Sequence, residues 1–296
     1  MFNNILGNEK NRNILEKSIK LNKISHSYIF WGIEGIGKKL IAKEFAKNIL
    51  CLEHQENCQC KSCIEIDSNN NPDFQLIEPN EGKVKIEQIR EMQRKVAEKP
   101  IISNKKVYII EDSDMMTTEA QNCLLKTLEE PPEYITIILI CTNEDNLLST
   151  IKSRCTRMHF EPIDTREIKK YIEQNYSEQE ISENIINLSQ GSIGKVIKLN
   201  ENKNIYENIE KILLSMNNKD LIDIIQMSEE IYNTKEEINS ILDYMNVILL
   251  KLSKQNIKYI RCIDIVEQTK KRLKANSNYD MCIDNLLFNM TFIIHN

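Results

Sequence analysis

The chain of 296 residues is long enough for two or three domains, each with a core of its own. With 39 Lys and Arg against 44 Asp and Glu, the net charge of -5 excludes a protein that holds DNA by bulk electrostatics, so any nucleic-acid contact must be local. Hydrophobic residues at 41% exclude a disordered tail, and seven glycines with six prolines are too few for a sandwich or barrel.

The opening stretch MFNNILGNEKNRN lacks the charged lead and long apolar core of a secretory signal. The best apolar run, Ile135 to Cys141, is strand-sized, so a cytoplasmic location without a membrane span is expected. From Ser27 to about Phe160, short β-rich runs alternate with helical stretches: SYIFW (27–31), DFQLI (73–77), KVYIIE (106–111), YITIILIC (134–141) and RMHF (157–160). That alternation predicts an α/β domain over 1–162, a parallel sheet with helices on both faces. Thr118 and Gln121 read as a capping box opening a helix that Pro131 and Pro132 stop. Beyond Glu161 the strand signal fades. Asp164 can cap REIKKYIEQ, Ser177 with Glu180 can cap the next helix, and Gly191 can end it, which predicts a small helical domain over 163–203. Helical spacing without proline then predicts an all-α domain over 204–296.

The run SYIFW leads directly into Gly32-Ile33-Glu34-Gly35-Ile36-Gly37-Lys38-Lys39 and then a helix. This is GxxxxGK[ST] in its proper strand–loop–helix setting, except at the last position. Gly32, Gly35 and Gly37 would turn backbone N–H groups toward phosphate oxygens, and Lys38 would reach the outer phosphates. In a working loop a Ser or Thr hydroxyl ligates Mg²⁺; here Lys39 stands in its place. At the end of the strand 107–110 the acidic pair is Glu111-Asp112, the reverse of the Asp-Glu order of an ATPase, which shifts each carboxylate by one methylene. Two departures in one site predict a packed turn or a weak, Mg²⁺-independent ATP site, not a hydrolytic one.

Four cysteines, Cys51, Cys58, Cys60 and Cys63, crowd into thirteen residues after the loop's helix. In a reducing compartment this reads as a structural Zn²⁺ knuckle, closed by four ligands with no open position. Cys60 and Cys63 have the usual spacing; Cys58 is tight against Cys60, so His54 is an alternative ligand. The other five (Cys123, Cys141, Cys155, Cys262, Cys282) read mostly as small buried hydrophobes.

Taken together, HSYIFWGIEGIGKK (26–39), the cysteine module with NPDF (71–74), KVYIIEDSDMM (106–116), CLLKTLEEPP (123–132) and SRC (153–155) resemble the delta-prime subunits of the bacterial DNA polymerase III clamp loader, an AAA+ family. The stretches lie in family order over most of 20–160, with a shorter cysteine spacing than the family's; the C-terminal half is similar only in helical character and length. The resemblance implies a RecA-like AAA+ module, a helical lid and a C-terminal collar. It implies a pentameric ring with the gamma or tau ATPases and with delta, which opens the sliding clamp for loading onto primed DNA. It implies a rigid stator without ATPase activity of its own, presenting Arg154 of SRC in trans to the ATP of a neighbour. A guanidinium is permanently charged and forked, and suits that role. The alternative is the gamma/tau-type subunit, which binds and hydrolyses ATP; Lys39 and Glu111-Asp112 speak against it.

Overall fold

The computed structural model describes residues 2, 5–53, 55, 58–176 and 181–295. The chain divides into two compact units, one of 1–171 with 191–194, the other of 172–190 with 195–296.

In the first unit, α1 (Glu9–Lys20), β1 (Ser27–Trp31), α2 (Lys38–Leu50) and α3 (Lys61–Asp67) are followed by β2 (Phe74–Ile77) and α4 (Ile86–Val96). Next come β3 (Lys106–Ile110), α5 (Thr118–Glu129), β4 (Ile135–Cys141), α6 (Ser149–Lys152) and β5 (Thr156–His159). The strands form one sheet in the order β2-β3-β4-β1-β5, every pair parallel. Side chains alternate between faces along a strand, so each central strand feeds two cores. Tyr28 and Phe30 of β1, Val107 and Ile109 of β3, and Ile138 and Ile140 of β4 pack with Ile41, Phe45 and Ile49 of α2. Ile29, Tyr108, Ile110, Ile137 and Leu139 face the other way, onto Ile89 and Met92 of α4 and Leu124 and Leu128 of α5. Burial on both faces is why these strands read as unbroken apolar runs.

Two local expectations need correction. The cap of α5 is Thr117, whose hydroxyl accepts the N–H of Ala120, and Thr118 is the first helical residue. Gln121 does not complete a capping box. Its amide instead donates to the carbonyls of Met116 and Asn146 and accepts the N–H of Leu148, holding the segment after β4. Asp164 does cap as expected, its carboxylate accepting the N–H of Arg166 at the start of α7 (Thr165–Asn175). Ser177 and Glu180 lie outside the described residues; the next helix, α8 (Glu183–Leu188), is capped by Ser182.

The second unit is helical: α8, most of α9 (Ile193–Glu201), α10 (Lys203–Ser215), α11 (Leu221–Met227), α12 (Glu229–Asn233), α13 (Ile238–Ser253), α14 (Lys258–Lys274) and α15 (Tyr279–His295). Tyr206 of α10 meets Tyr244 of α13 edge-on, ring centroids 4.9 Å apart, and the Tyr244 hydroxyl donates to Glu210. α13 packs on α14 and α14 on α15, and Ile241, Leu249, Cys262, Ile283 and Leu287 are buried on these helices. No helix among the described residues is long and apolar enough to cross a membrane.

Candidate functional site

The phosphate-loop residues come together at the carboxyl end of β1, an interior strand between β4 and β5. Gly32 has φ 149°, and a Cβ there would lie 2.3 Å from the carbonyl oxygen of Phe160, so only glycine allows the segment after β5 to pass so close. Gly37 caps α2 with φ 91°. Gly35 lies between them, and its carbonyl accepts the N–H of Gly194, 3.0 Å away. The ammonium of Lys38 is buried within its own loop and donates to the carbonyls of Gly32 (2.5 Å) and Ile33 (2.7 Å). Burial lowers its pKa.

Lys39, at the position of the absent hydroxyl, reaches the ends of two neighbouring strands. Its Nζ donates to Oε2 of Glu111 after β3, at 2.5 Å, and to Oε1 of Glu78 after β2, at 2.8 Å. Burial lowers the pKa of Lys39, but the bonds to Glu111 and Glu78 outweigh it and the net shift is upward. Glu78 is held below the usual carboxylate range by Lys39. Asp112 takes a left-handed backbone, φ 44°, and is exposed as a residue; partial burial of its carboxyl, with Asp114 and Glu34 nearby, raises its pKa. Asp114 ties down the end of β4, its Oδ2 accepting the N–H groups of Thr142 and Asn143. Sequence spacing does not single out Glu78 or Asp114. The signal for both is weak: an acid one residue after an apolar run, and the third acid of a Glu-Asp-Ser-Asp stretch.

The four cysteines converge. The Sγ atoms of Cys51, Cys58, Cys60 and Cys63 all lie within 4.8 Å of one another. Sulfurs around a tetrahedral Zn²⁺ stand about 3.8 Å apart, given Zn–S bonds of about 2.3 Å, so a small contraction would close the site. Cys51 caps the end of α2, Cys60 precedes α3 and Cys63 sits in its first turn. The N–H of Cys60 donates to Sγ of Cys58 at 3.3 Å. Burial pushes the Cys60 thiol up, but the amides of Leu52 and Cys63 and the neighbouring thiols bring it down to about 7. This donor set fits a soft, closed metal site. His54 lies outside the described residues.

Arg154 stands apart from the loop, after α6. Its carbonyl accepts the hydroxyl of Ser27, 2.8 Å away, which fixes the segment to β1. Its guanidinium, 34% exposed, donates to the Thr150 carbonyl at 2.9 Å and pairs with Oε1 of Glu129 at 2.8 Å. Glu129 is another residue that spacing alone does not mark.

Residues 7–164 match the family described as DNA polymerase III, delta subunit. The chain is 35% identical over 205 residues to DNA polymerase III subunit delta' of Bacillus subtilis, covering 68% of this chain and 61% of that protein. It is 28% identical over 306 residues to the gamma subunit of Buchnera aphidicola subsp. Baizongia pistaciae, covering 94% and 81% respectively. Against the tau subunit of Escherichia coli the identity is 32% over 184 residues, covering 61% of this chain and 28% of that one. The match thus spans less than two thirds of the Bacillus delta' and of the Escherichia tau. Among solved structures, a gamma subunit-related protein of Thermotoga maritima shares the fold with a TM-score of 0.53, at 18% identity over 95% of this chain and 99% of that one.

Proposed function

The chain belongs to the family described as DNA polymerase III, delta subunit, and from that premise we propose that it is the non-motor, delta-prime-type stator of a clamp loader. Its relatives include delta', gamma and tau, so membership alone does not choose between stator and ATPase. The observation that favours the stator is the Lys39–Glu111 ion pair. In an ATPase of this class the loop hydroxyl and the acid after the third strand act on Mg²⁺; here the two positions bind each other.

In this reading the first unit is an AAA+ module in a cytoplasmic ring, beside a gamma or tau subunit and in one complex with delta, serving the sliding clamp and primed DNA. Arg154 is lent to the neighbour's ATP, where a guanidinium stabilises charge on the transferring phosphoryl group. Segment 163–203 is a lid, and 204–296 a collar through which subunits associate. The collar assignment is supported by Met281 and Phe288, large apolar side chains exposed seven residues apart along α15. Cys51, Cys58, Cys60 and Cys63 hold Zn²⁺, which when bound staples α2 to α3 and leaves no position for a reacting water.

Reconstitution tests the reading. With gamma or tau, delta, clamp and primed DNA, omission of this chain abolishes ATP-dependent clamp loading, while Lys38→Ala in this chain leaves the loading rate unchanged. A loader that turns over without the chain, or that loses its turnover with Lys38→Ala, overturns it.

A further inference from the structure

Arg154 is fixed first by its backbone and then by its side chain. Its N–H donates to the Ile151 carbonyl and its own carbonyl accepts from Ser27, so the Cα is anchored to both α6 and β1. A long side chain on a fixed Cα still samples many rotamers, and a charge that stabilises a transferring phosphoryl group is effective only when held in place beforehand. Three acceptors do the holding: the Thr150 carbonyl at 2.9 Å, the Ser153 hydroxyl at 3.4 Å and the Glu129 carboxylate at 2.8 Å. Thr150 and Ser153 belong to the guanidinium's own segment. Glu129 does not: it is the last residue of α5, within LLKTLEEPP.

Arg154 is 34% exposed and Glu129 50%, so water screens the pair and it adds little to stability. Its consequence is orientation. A guanidinium carries five N–H donors, more than these three contacts use, so it can keep Glu129 and still receive an anion. We infer that Glu129 is the positioning residue for Arg154, aiming its remaining N–H groups at the phosphate of a nucleotide bound by an adjoining subunit. The inference rests on the reading of Arg154 as a residue lent in trans. It also accounts for the LLKTLEEPP run, because the prolines after Glu130 end α5 where its last carboxylate meets the SRC segment.

The test uses the assembled loader carrying variants of this chain, with ATP turnover measured over a range of ATP concentrations. Glu129→Ala reproduces most of the loss in kcat caused by Arg154→Ala, with KM for ATP unchanged, because the neighbour's own loop still binds the nucleotide. Glu129→Gln keeps an acceptor oxygen in place and recovers most of the rate. In the Arg154→Ala background, Glu129→Ala lowers turnover no further. Glu129→Asp draws the oxygen back by one methylene and gives an intermediate rate; it carries the comparison if the alanine variant does not assemble. If Arg154→Ala lowers turnover but the Glu129 variants leave it unchanged or raise it, Glu129 is not a positioning residue and the role of Arg154 stands. If Arg154→Ala itself has no effect, the lent arginine fails, and this inference with it.

Discussion

Lys39 Nζ donates a 2.5 Å hydrogen bond to Oε2 of Glu111. The two residues stand 72 positions apart, and each looks like an independent fault in a nucleotide site. In space they are one compensated change. Where a hydroxyl and a carboxylate would share a divalent ion, an ammonium tethered to the chain is held against the carboxylate, and Glu78 accepts a second of its hydrogen bonds at 2.8 Å. A divalent ion entering here would have to displace a cation that cannot diffuse away.

Nucleotide binding is therefore expected to be indifferent to Mg²⁺. Titration of the pure chain with ADP or ATP should give the same affinity, however weak, in Mg²⁺ and in EDTA, and no phosphate release. Lys39→Thr restores a hydroxyl and frees two carboxylates, and should introduce a Mg²⁺ dependence. A wild-type affinity that rises tenfold or more on adding Mg²⁺, which is about 1.4 kcal/mol, would contradict the compensated pair.

The same triad sets a pH dependence. Glu78 is held below the usual carboxylate range, so its contribution is present above that range and is lost as pH falls through its lowered value. Lys39 is raised, so its contribution is present below the ordinary lysine value and is lost as pH climbs through the raised one. The melting temperature of Lys39→Thr should thus lie below wild type at neutral pH, and the gap should close as the medium becomes acidic. Both side chains are partly exposed, so the gap is small and shrinks with salt. A gap that widens on acidification would reverse the sign of this argument.

Metal analysis of protein purified without added zinc should find one Zn²⁺ per chain. Cys60, near 7, supplies a thiolate readily, whereas burial pushes Cys63 up, so loading at neutral pH should release protons to the buffer. Cys60→Ser with Cys63→Ser should abolish binding and lower the melting temperature. Absence of metal from the wild type, or an unchanged melting curve in the double variant, would leave the cluster as free thiols.

Legibility in the sequence depends on whether a feature is local. The strands carry their signal in unbroken runs such as Ile135–Cys141, because both faces of the sheet are covered. The loop glycines are equally plain, since Gly32 and Gly37 both carry a positive φ in a tight turn, although the Phe160 carbonyl that crowds Gly32 is a partner across the fold. The cap of α5 is read one residue late because Thr117 and Thr118 are chemically identical, and only the direction of a hydroxyl separates them. Lys39 with Glu111, and Arg154 with Glu129, are partners across the fold, and no period or spacing connects them. For the same reason NPDF stands out as a string while the work of its aspartate does not.

That aspartate, Asp73, is 2% exposed and accepts three backbone N–H groups: Ile101 at 2.8 Å on Oδ1, and Ile102 at 2.7 Å and Ser103 at 2.8 Å on Oδ2. Its own N–H donates to Oδ1 of Asn71, whose Nδ2 donates to the carbonyl and hydroxyl of Ser62. The Ser103 hydroxyl donates to the Leu50 carbonyl. Leu50 and Ser62 are the residues immediately before Cys51 and Cys63, so this network frames two of the four cysteines from behind. Asp73→Asn keeps the shape but turns one acceptor into a donor facing buried N–H groups, which should cost about 2 to 4 kcal/mol. Asn71→Ala leaves the carboxylate bonds in place and removes only those made by the Asn71 side chain, so it should cost about 1 to 2 kcal/mol. The two variants should differ in the opposite sense at the metal: because Asn71 alone of the two reaches α3, its loss should speed zinc release to a chelator more, for each unit of stability lost, than the loss of the carboxylate. Urea unfolding and chelator competition on the same preparations measure both quantities. An Asp73→Asn protein with a wild-type midpoint would show that the carboxylate does not hold this part of the fold, and zinc release that simply follows stability in both variants would show that NPDF holds the sheet without framing the cysteines.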